Sequence, residues 1–214
     1  MTNPTLALIH PTSNPFARNA ATAFANQGIL KEVITTFAYN PQADWAKALC
    51  YLPQPLQKRL IAELERRRWT IPSPAQMQVH PWQEIIRVAL MKANLNAPLG
   101  LGKHGLIDWV YTSLDRHVAQ HHLTDINAVY AYEDGAATTF IAAKEKGIFC
   151  LYDLPIMFYK MAQEIQQQEA EQFPELASSL QAVQEPHWKL QRKDQEIQLA
   201  DHIFVPLPLP KHLC

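Results

Sequence analysis

Apolar positions in this chain come in short blocks separated by polar turns. Thr5 to Ile9 (TLALI) is a brief apolar run broken by His10-Pro11, the pattern of a buried strand feeding a loop. Phe16, Ala20, Ala23 and Phe24 then recur at helical spacing, and Gly28 supplies a stop signal. Glu32 to Tyr39 (EVITTFAY) is rich in β-branched and aromatic residues and predicts a second strand. Strand, helix and strand in one short stretch make a βαβ unit, whose crossover favours parallel pairing.

Helical spacing dominates the middle. Leu56, Leu60, Ile61 and Leu64 mark an amphipathic helix that ends near Arg66-Arg67-Arg68. Trp82, Ile85, Ile86, Ala89, Leu90 and Ala93 form the most regular stripe of the chain, and Ile107, Val110, Tyr111, Leu114 and Val118 form another. Asn94 to Gly105 between them reads as a loop within one domain. Alternation then returns, with strands at Ala128 to Tyr132, Ile148 to Tyr152 and His202 to Val205. Helices fall between them: Ala136 to Lys146 closed by Gly147, one seeded by Phe158, Met161, Ala162 and Ile165, and one over His187 to Ala200. Together these predict a single α/β, Rossmann-like domain over residues 1–205. Its sheet is mainly parallel, with helices on both faces and a helical insertion between the second and third strands. Ligands in such sheets sit outside the carboxyl ends of the strands. That rule singles out His10 to Phe16, Glu133 to Ala136 and Asp153 to Pro155.

With 48% apolar and 18% charged residues over 214 positions, the chain is globular rather than disordered. A net charge of -1 predicts no broad cationic face for nucleic acid or anionic lipid. Cys50, Cys150 and Cys214 show neither metal-type spacing nor a disulfide framework, which suits a reducing cytoplasm. The start lacks the features of a signal peptide, and no apolar run approaches the ~20 residues that cross a bilayer. The expected location is cytoplasmic, or peripheral at the inner face of the membrane, with no transmembrane segment.

Three strand-tip segments carry the candidate chemistry. Glu133 and Asp134 can accept hydrogen bonds from sugar hydroxyls, and Gly135 lets backbone approach a ligand; equally, Asp134 can cap the following helix and Glu133 complement its dipole. In His10 to Pro15, backbone N–H groups at the helix start can bind an anion with Arg18 one turn in, or Ser13 or Asn14 can cap a helix that begins at Pro15. Asp153 is a cap or a cleft residue. Gly100 to Gly105 matches the G-x-G-x-x-G pattern but lacks the apolar strand that must precede it. His117 and His121, four apart with His122 adjacent, have zinc-compatible spacing; His121 on the apolar stripe and the missing glutamate between them favour packing histidines. No metal and no cofactor is expected. Glu63 to Arg68 and Arg192 to Glu196 read as solvated helix faces.

AVYAYEDGAATTF (Ala128 to Phe140), AKEKGIFCLYDLPIMF (Ala143 to Phe158) and QRKDQEIQLADHIFVP (Gln191 to Pro206) resemble a branch of the bacterial group 1, family-four-like glycosyltransferases, as does HPTSNPFARNA (His10 to Ala20). The resemblance implies a GT-B enzyme whose two Rossmann-like domains face each other across a cleft. The first holds a sugar or glycan acceptor; the second holds the nucleotide-sugar and carries two glutamates eight positions apart. Transfer retains anomeric configuration and needs no metal. Carried onto this sequence, Asn14, Arg18, Glu133, Asp134 and Asp153 form the expected acceptor face, and no catalytic base is assigned. The twelve glutamates here include no pair at that separation. The segment from Pro206 to Cys214 departs from the family and reads as an aberrant or truncated tail. The resemblance therefore implies an N-terminal acceptor-side domain, inactive without a donor domain and able to self-associate through its exposed inter-domain face. Two other readings stand beside it: a non-catalytic binding module with the same fold, and a Rossmann oxidoreductase, disfavoured by the missing nucleotide fingerprint after Ile9.

Overall fold

Leu6–Ile9, four residues buried on both sides, form the central strand β1, as a strand sandwiched between helical layers must. The computed structural model describes residues 4–95, 103–175, 180 and 185–205. In chain order β1 is followed by α1 (Pro15–Asn26), β2 (Leu30–Thr35), α2 (Asp44–Lys47), a 3-10 turn (Ala48–Tyr51), α3 (Gln54–Glu65), β3 (Gln76–Val79) and α4 (Trp82–Lys92). Then come α5 (Lys103–His121), β4 (Ala128–Tyr132), α6 (Ala137–Glu145), β5 (Phe149–Asp153), α7 (Tyr159–Gln172), α8 (His187–Leu199) and β6 (His202–Phe204).

The six strands of the described residues are all parallel, in the order β3-β2-β1-β4-β5-β6. The chain builds outward from β1 to one edge, returns to the centre at β4, and builds to the other edge. Pleating sends alternate side chains into two cores. On one face Leu6, Leu8, Val33, Tyr130 and Tyr132 pack with Ala17 and Ala21 of α1. On the other, Ala7, Ile9, Ile34, Val129 and Tyr152 pack with Leu114 and Val118 of α5, Phe140 of α6, and Ile197 of α8. Gly28 and Gly147, at φ +70°, end α1 and α6 as anticipated, in the left-handed conformation that closes a helix. This is the single Rossmann-like α/β domain with helices on both faces that the sequence pattern predicts. Among the described residues no helix is long and apolar enough to cross a membrane.

The second strand departs from its predicted bounds of Glu32 to Tyr39. Its pairing with β1 runs from Leu30 to Ile34, so it starts and stops with its neighbour; Tyr39 instead bridges to Arg68. The middle segment, mostly helical as expected, also contributes β3, which the pattern did not reveal. Gly100 and Gly102 of the glycine-rich stretch, and residues 206–214, lie outside the described residues.

Candidate binding crevice

β1 and β4 are neighbours, yet α1 leaves β1 towards one face and α6 leaves β4 towards the other. The two loops therefore diverge and open a crevice at the carboxyl edge, where the strand order reverses. It holds a hollow of about 250 Å³. His10 and Asn14 line it from the first loop, Tyr132, Glu133 and Asp134 from the end of β4, Pro155 and Ile156 from beyond β5, Asp108 and Tyr111 from α5, and Lys189 from α8.

His10, which sequence reasoning passed over as a chemical group, lies at the centre of this arrangement. It is buried, with its ring edge-on to Tyr132 at 4.6 Å. Asn14 caps α1, one of the readings that its loop left open, its Oδ1 accepting from the Ala17 N–H at 2.8 Å. That bond fixes the amide, so Asn14 Nδ2 faces His10 Nε2 at 2.9 Å as a donor. With the amide as donor Nε2 carries the lone pair, while Nδ1 lies against the Thr12 backbone, 2.5 Å from its carbonyl oxygen and 2.9 Å from its N–H. Burial pushes the His10 pKa down to about 4, against a raising contribution from Thr12, and the ring is neutral at pH 7.

A buried neutral histidine makes stability depend on pH. The unfolded chain protonates His10 near its ordinary 6.5, the folded one only near 4. The contribution is therefore complete above 6.5 and is lost as pH falls through that window, by up to ~3 kcal/mol. Unfolding free energies from urea titrations at pH 7 and 4.5 for wild type and His10→Gln should therefore diverge by about 2 kcal/mol. Equal pH dependence in the two proteins would show that His10 titrates normally in the fold.

Glu133 and Asp134 form the acidic wall. Burial raises both carboxyl pKa values, opposed by Lys193 at Glu133 and by Lys189 and Lys193 at Asp134. Lys189 lies 3.0 Å from both Asp108 and Asp134, and Lys193 lies 3.4 Å from Glu133 and 2.8 Å from Glu185. Burial works against the Lys189 charge, but these carboxylates hold its pKa above the ordinary value. The sharp turn is made by Asp134 itself, at φ +70°. Gly135 is not forced by space: a Cβ there would sit 3.8 Å from Tyr111 and from the Tyr132 carbonyl, ordinary contact distances.

Asp134 does not cap α6, contrary to one of the two sequence readings. The N-cap position is Ala136, and the donors at the helix start are taken by carboxylates from other helices. Glu196 of α8 accepts from the N–H groups of Asp134, Ala136 and Ala137 at 3.0, 2.9 and 3.2 Å, and from the Tyr152 hydroxyl at 3.0 Å. Asp115 of α5 accepts from the N–H groups of Thr138 and Thr139 at 2.8 and 2.9 Å. Arg192 pairs with Asp115 and lies 3.6 Å from Glu196. The Arg192 to Glu196 run is therefore not a solvated face: Lys193 and Glu196 are buried. Burial pushes the Glu196 pKa up to about 7, against the lowering effect of the Ala136 N–H and Arg192.

The other candidates divide. Asp153 is not part of the hollow: it is the last residue of β5 and accepts a 2.6 Å hydrogen bond from Tyr130 on the α1 face. Arg18 donates to the Arg68 carbonyl at 3.1 Å and lines a neighbouring hollow of about 480 Å³, which Asn14 shares. There Arg18, Arg66, Arg67 and Arg87 outnumber Glu63 and Glu84, so the Glu63 to Arg68 run contributes to a concavity as well as to solvent. Asn14 thus stands between a cationic hollow and an acidic one. His121 is exposed rather than on the packed stripe, although its ring still lies 4.6 Å from His117, which also packs on His80 and near His122.

No family model matches the sequence, and no curated protein matches it. One similarity among solved structures is to a UDP-glucosyltransferase from Polygonum tinctorium, described as capable of glucosylating indoxyl and solved with 3,4-dichloroaniline. The TM-score is 0.36 and the identity 11%, over 94% of this chain and 46% of that one. The chain thus spans about half the length of that protein.

Proposed function

We propose that this chain is the acceptor-side domain of a retaining GT-B glycosyltransferase, in which the switch-point crevice holds a sugar or glycan hydroxyl for transfer from a nucleotide-sugar. The observation that carries this reading is the convergence of His10, Tyr132, Glu133 and Asp134 on one hollow. Sugar hydroxyls both donate and accept hydrogen bonds, and this wall offers carboxylates and a neutral imidazole within one small volume. A hydroxyl entering the crevice can replace the Asn14 amide as donor to His10 Nε2, which makes His10 the group placed to receive its proton. Four carboxylates (Asp108, Glu133, Asp134, Glu185) face two ammonium groups (Lys189, Lys193), a balance that suits a neutral polyol over a phosphate. Charge on a departing diphosphate would have to be met by donor-side groups on the opposite wall. The binding-module reading draws on the same ion pairs, since carboxylates held by lysines make a rigid recognition surface.

Saturation-transfer NMR of the full chain with methyl glucosides and mannosides tests the proposal. At least one glycoside should bind, and Asp134→Ala and His10→Ala should each weaken it about tenfold, the value of one charged or buried hydrogen bond. Binding that is indifferent to both substitutions, or no binding at all, removes the crevice from consideration. Transfer from UDP- or GDP-sugars that is lost in His10→Ala marks the enzyme; glycoside binding without turnover when a donor domain is supplied marks the module.

A further inference from the structure

Three imidazoles from separate parts of the chain meet away from the crevice. His80 directly follows β3, His117 lies on α5, and His122 sits just past the end of α5 with its N–H still bonded to the Val118 carbonyl. The ring centroids of His80 and His117 are 3.9 Å apart, and each lies 5.4 Å from that of His122. One nitrogen from each of the three falls within 4.8 Å of the others. All three side chains are partly buried.

Two further observations point to a cation. His80 Nε2 is buried without a hydrogen-bond partner among the described residues. Glu32, on the buried face of β2, directs both carboxylate oxygens at His122 Nδ1, at 3.3 and 3.4 Å. Among the described residues no other donor reaches that side chain. A buried carboxylate facing one imidazole is incompletely compensated unless positive charge is added nearby. A carboxylate on one ring nitrogen also orients the other as a metal-ligating lone pair, the arrangement that supports histidine ligands in zinc sites.

We infer that His80, His117 and His122 bind one zinc ion, with Glu32 positioning His122 and the fourth coordination place left to water. Three imidazole donors match a borderline-soft divalent cation. Tetrahedral zinc needs ligand nitrogens about 3.4 Å apart, so rotation of the half-buried rings by about an ångström completes the site. The ion would tie β3, an edge strand paired on one side only, to α5. The sequence offered His117 and His121 as the zinc-spaced pair, but the fold replaces His121 with His122 and adds His80 from 37 positions upstream of His117.

The test uses the untagged full chain, stripped with a chelator. Calorimetric titration with zinc should give one ion per chain, and cobalt substitution should give the intense visible bands of a tetrahedral centre. His80→Ala and His117→Gln should each weaken binding by about 100-fold or more, Glu32→Gln by about 10–100-fold, and His121→Ala not at all. Zinc at a hundred times its Kd should raise the Tm by about 5–10 °C in wild type and not in His80→Ala. Absence of stoichiometric zinc overturns the inference. So does zinc binding that survives His80→Ala in a variant of native circular dichroism, or that is lost in His121→Ala.

Discussion

Replacing Glu196 with alanine is expected to destabilise the fold by about 3–5 kcal/mol, the range for removing one member of a buried, hydrogen-bonded charged network. The side chain is fully buried, and one carboxylate holds three backbone N–H groups and the Tyr152 hydroxyl. Each orphaned donor costs about 1–3 kcal/mol, less whatever entering water restores. Arg192 would keep Asp115 but lose its second carboxylate. Glu196→Gln removes the charge and keeps one acceptor oxygen, but its amide N–H2 then faces either the Asp134 N–H or those of Ala136 and Ala137. The amide should therefore cost about 1–3 kcal/mol, the penalty of a buried donor left without its acceptor, and less than alanine because one acceptor oxygen remains. Urea unfolding of both variants at pH 7 gives the comparison. An alanine variant within about 1 kcal/mol of wild type would mean that the network does not hold the turn.

That network also bears on ligand class. The start of a helix after a central strand is a ready anion site, because its free N–H groups and dipole point outward. In α6 those N–H groups already serve Glu196 and Asp115, so the protein's own carboxylates stand where a phosphate would sit. At α1, Pro15 has no N–H and the Ala17 N–H is taken by Asn14. The α6 turn is thus closed to the close phosphate approach that a dinucleotide needs, and the α1 turn has two of its first donors missing or engaged. The strand order of a nucleotide-binding fold is present, while the crevice it creates is lined by carboxylates that already hold lysines.

The central strands were legible because burial on both faces leaves continuous apolar runs, as in Leu6–Ile9 and Ala128–Tyr132. β3 was not, since its four residues, Gln-Met-Gln-Val, are only partly covered and draw their order from the backbone of β2. Asp153 lies outside the hollow for a reason of parity. The strand extends one residue beyond the predicted Tyr152, so Asp153 follows the pleat and faces Tyr130 instead of projecting past the edge. α8 was misread because its buried charged residues find partners some 60 positions away, at Asp134 and Ala136. A signal was nonetheless present: a helix polar on every side, docked between sheet elements, must bury charge and therefore needs buried partners. His10 lay inside the segment that the strand-tip rule picked out. Only its ring environment, with Tyr132 beside it and Asn14 across from Nε2, distinguishes it from its neighbours.

Phe140→Ala is expected to cost about 3–5 kcal/mol, the usual range for emptying a large buried aromatic site, and to lower the Tm by roughly 8–15 °C. Phe140 is fully buried on α6, with its ring edge-on to Tyr152 at 6.1 Å and the β4–β5 core around it. The α6 sequence, Ala-Thr-Thr-Phe-Ile-Ala-Ala-Lys-Glu, gives little amphipathic signal, yet the helix is central to the fold. α4 is the reverse case. Its stripe is the most regular in the sequence, but Trp82 is 72% exposed, Ile85 49% and Ile86 47%. Ile85→Ala should therefore cost under about 1 kcal/mol, because half the side chain is already in water. Thermal unfolding of the two variants side by side measures how far periodicity and burial part company in this chain. Similar Tm losses would mean that the α4 stripe is covered in solution and that its regularity reports a real interface.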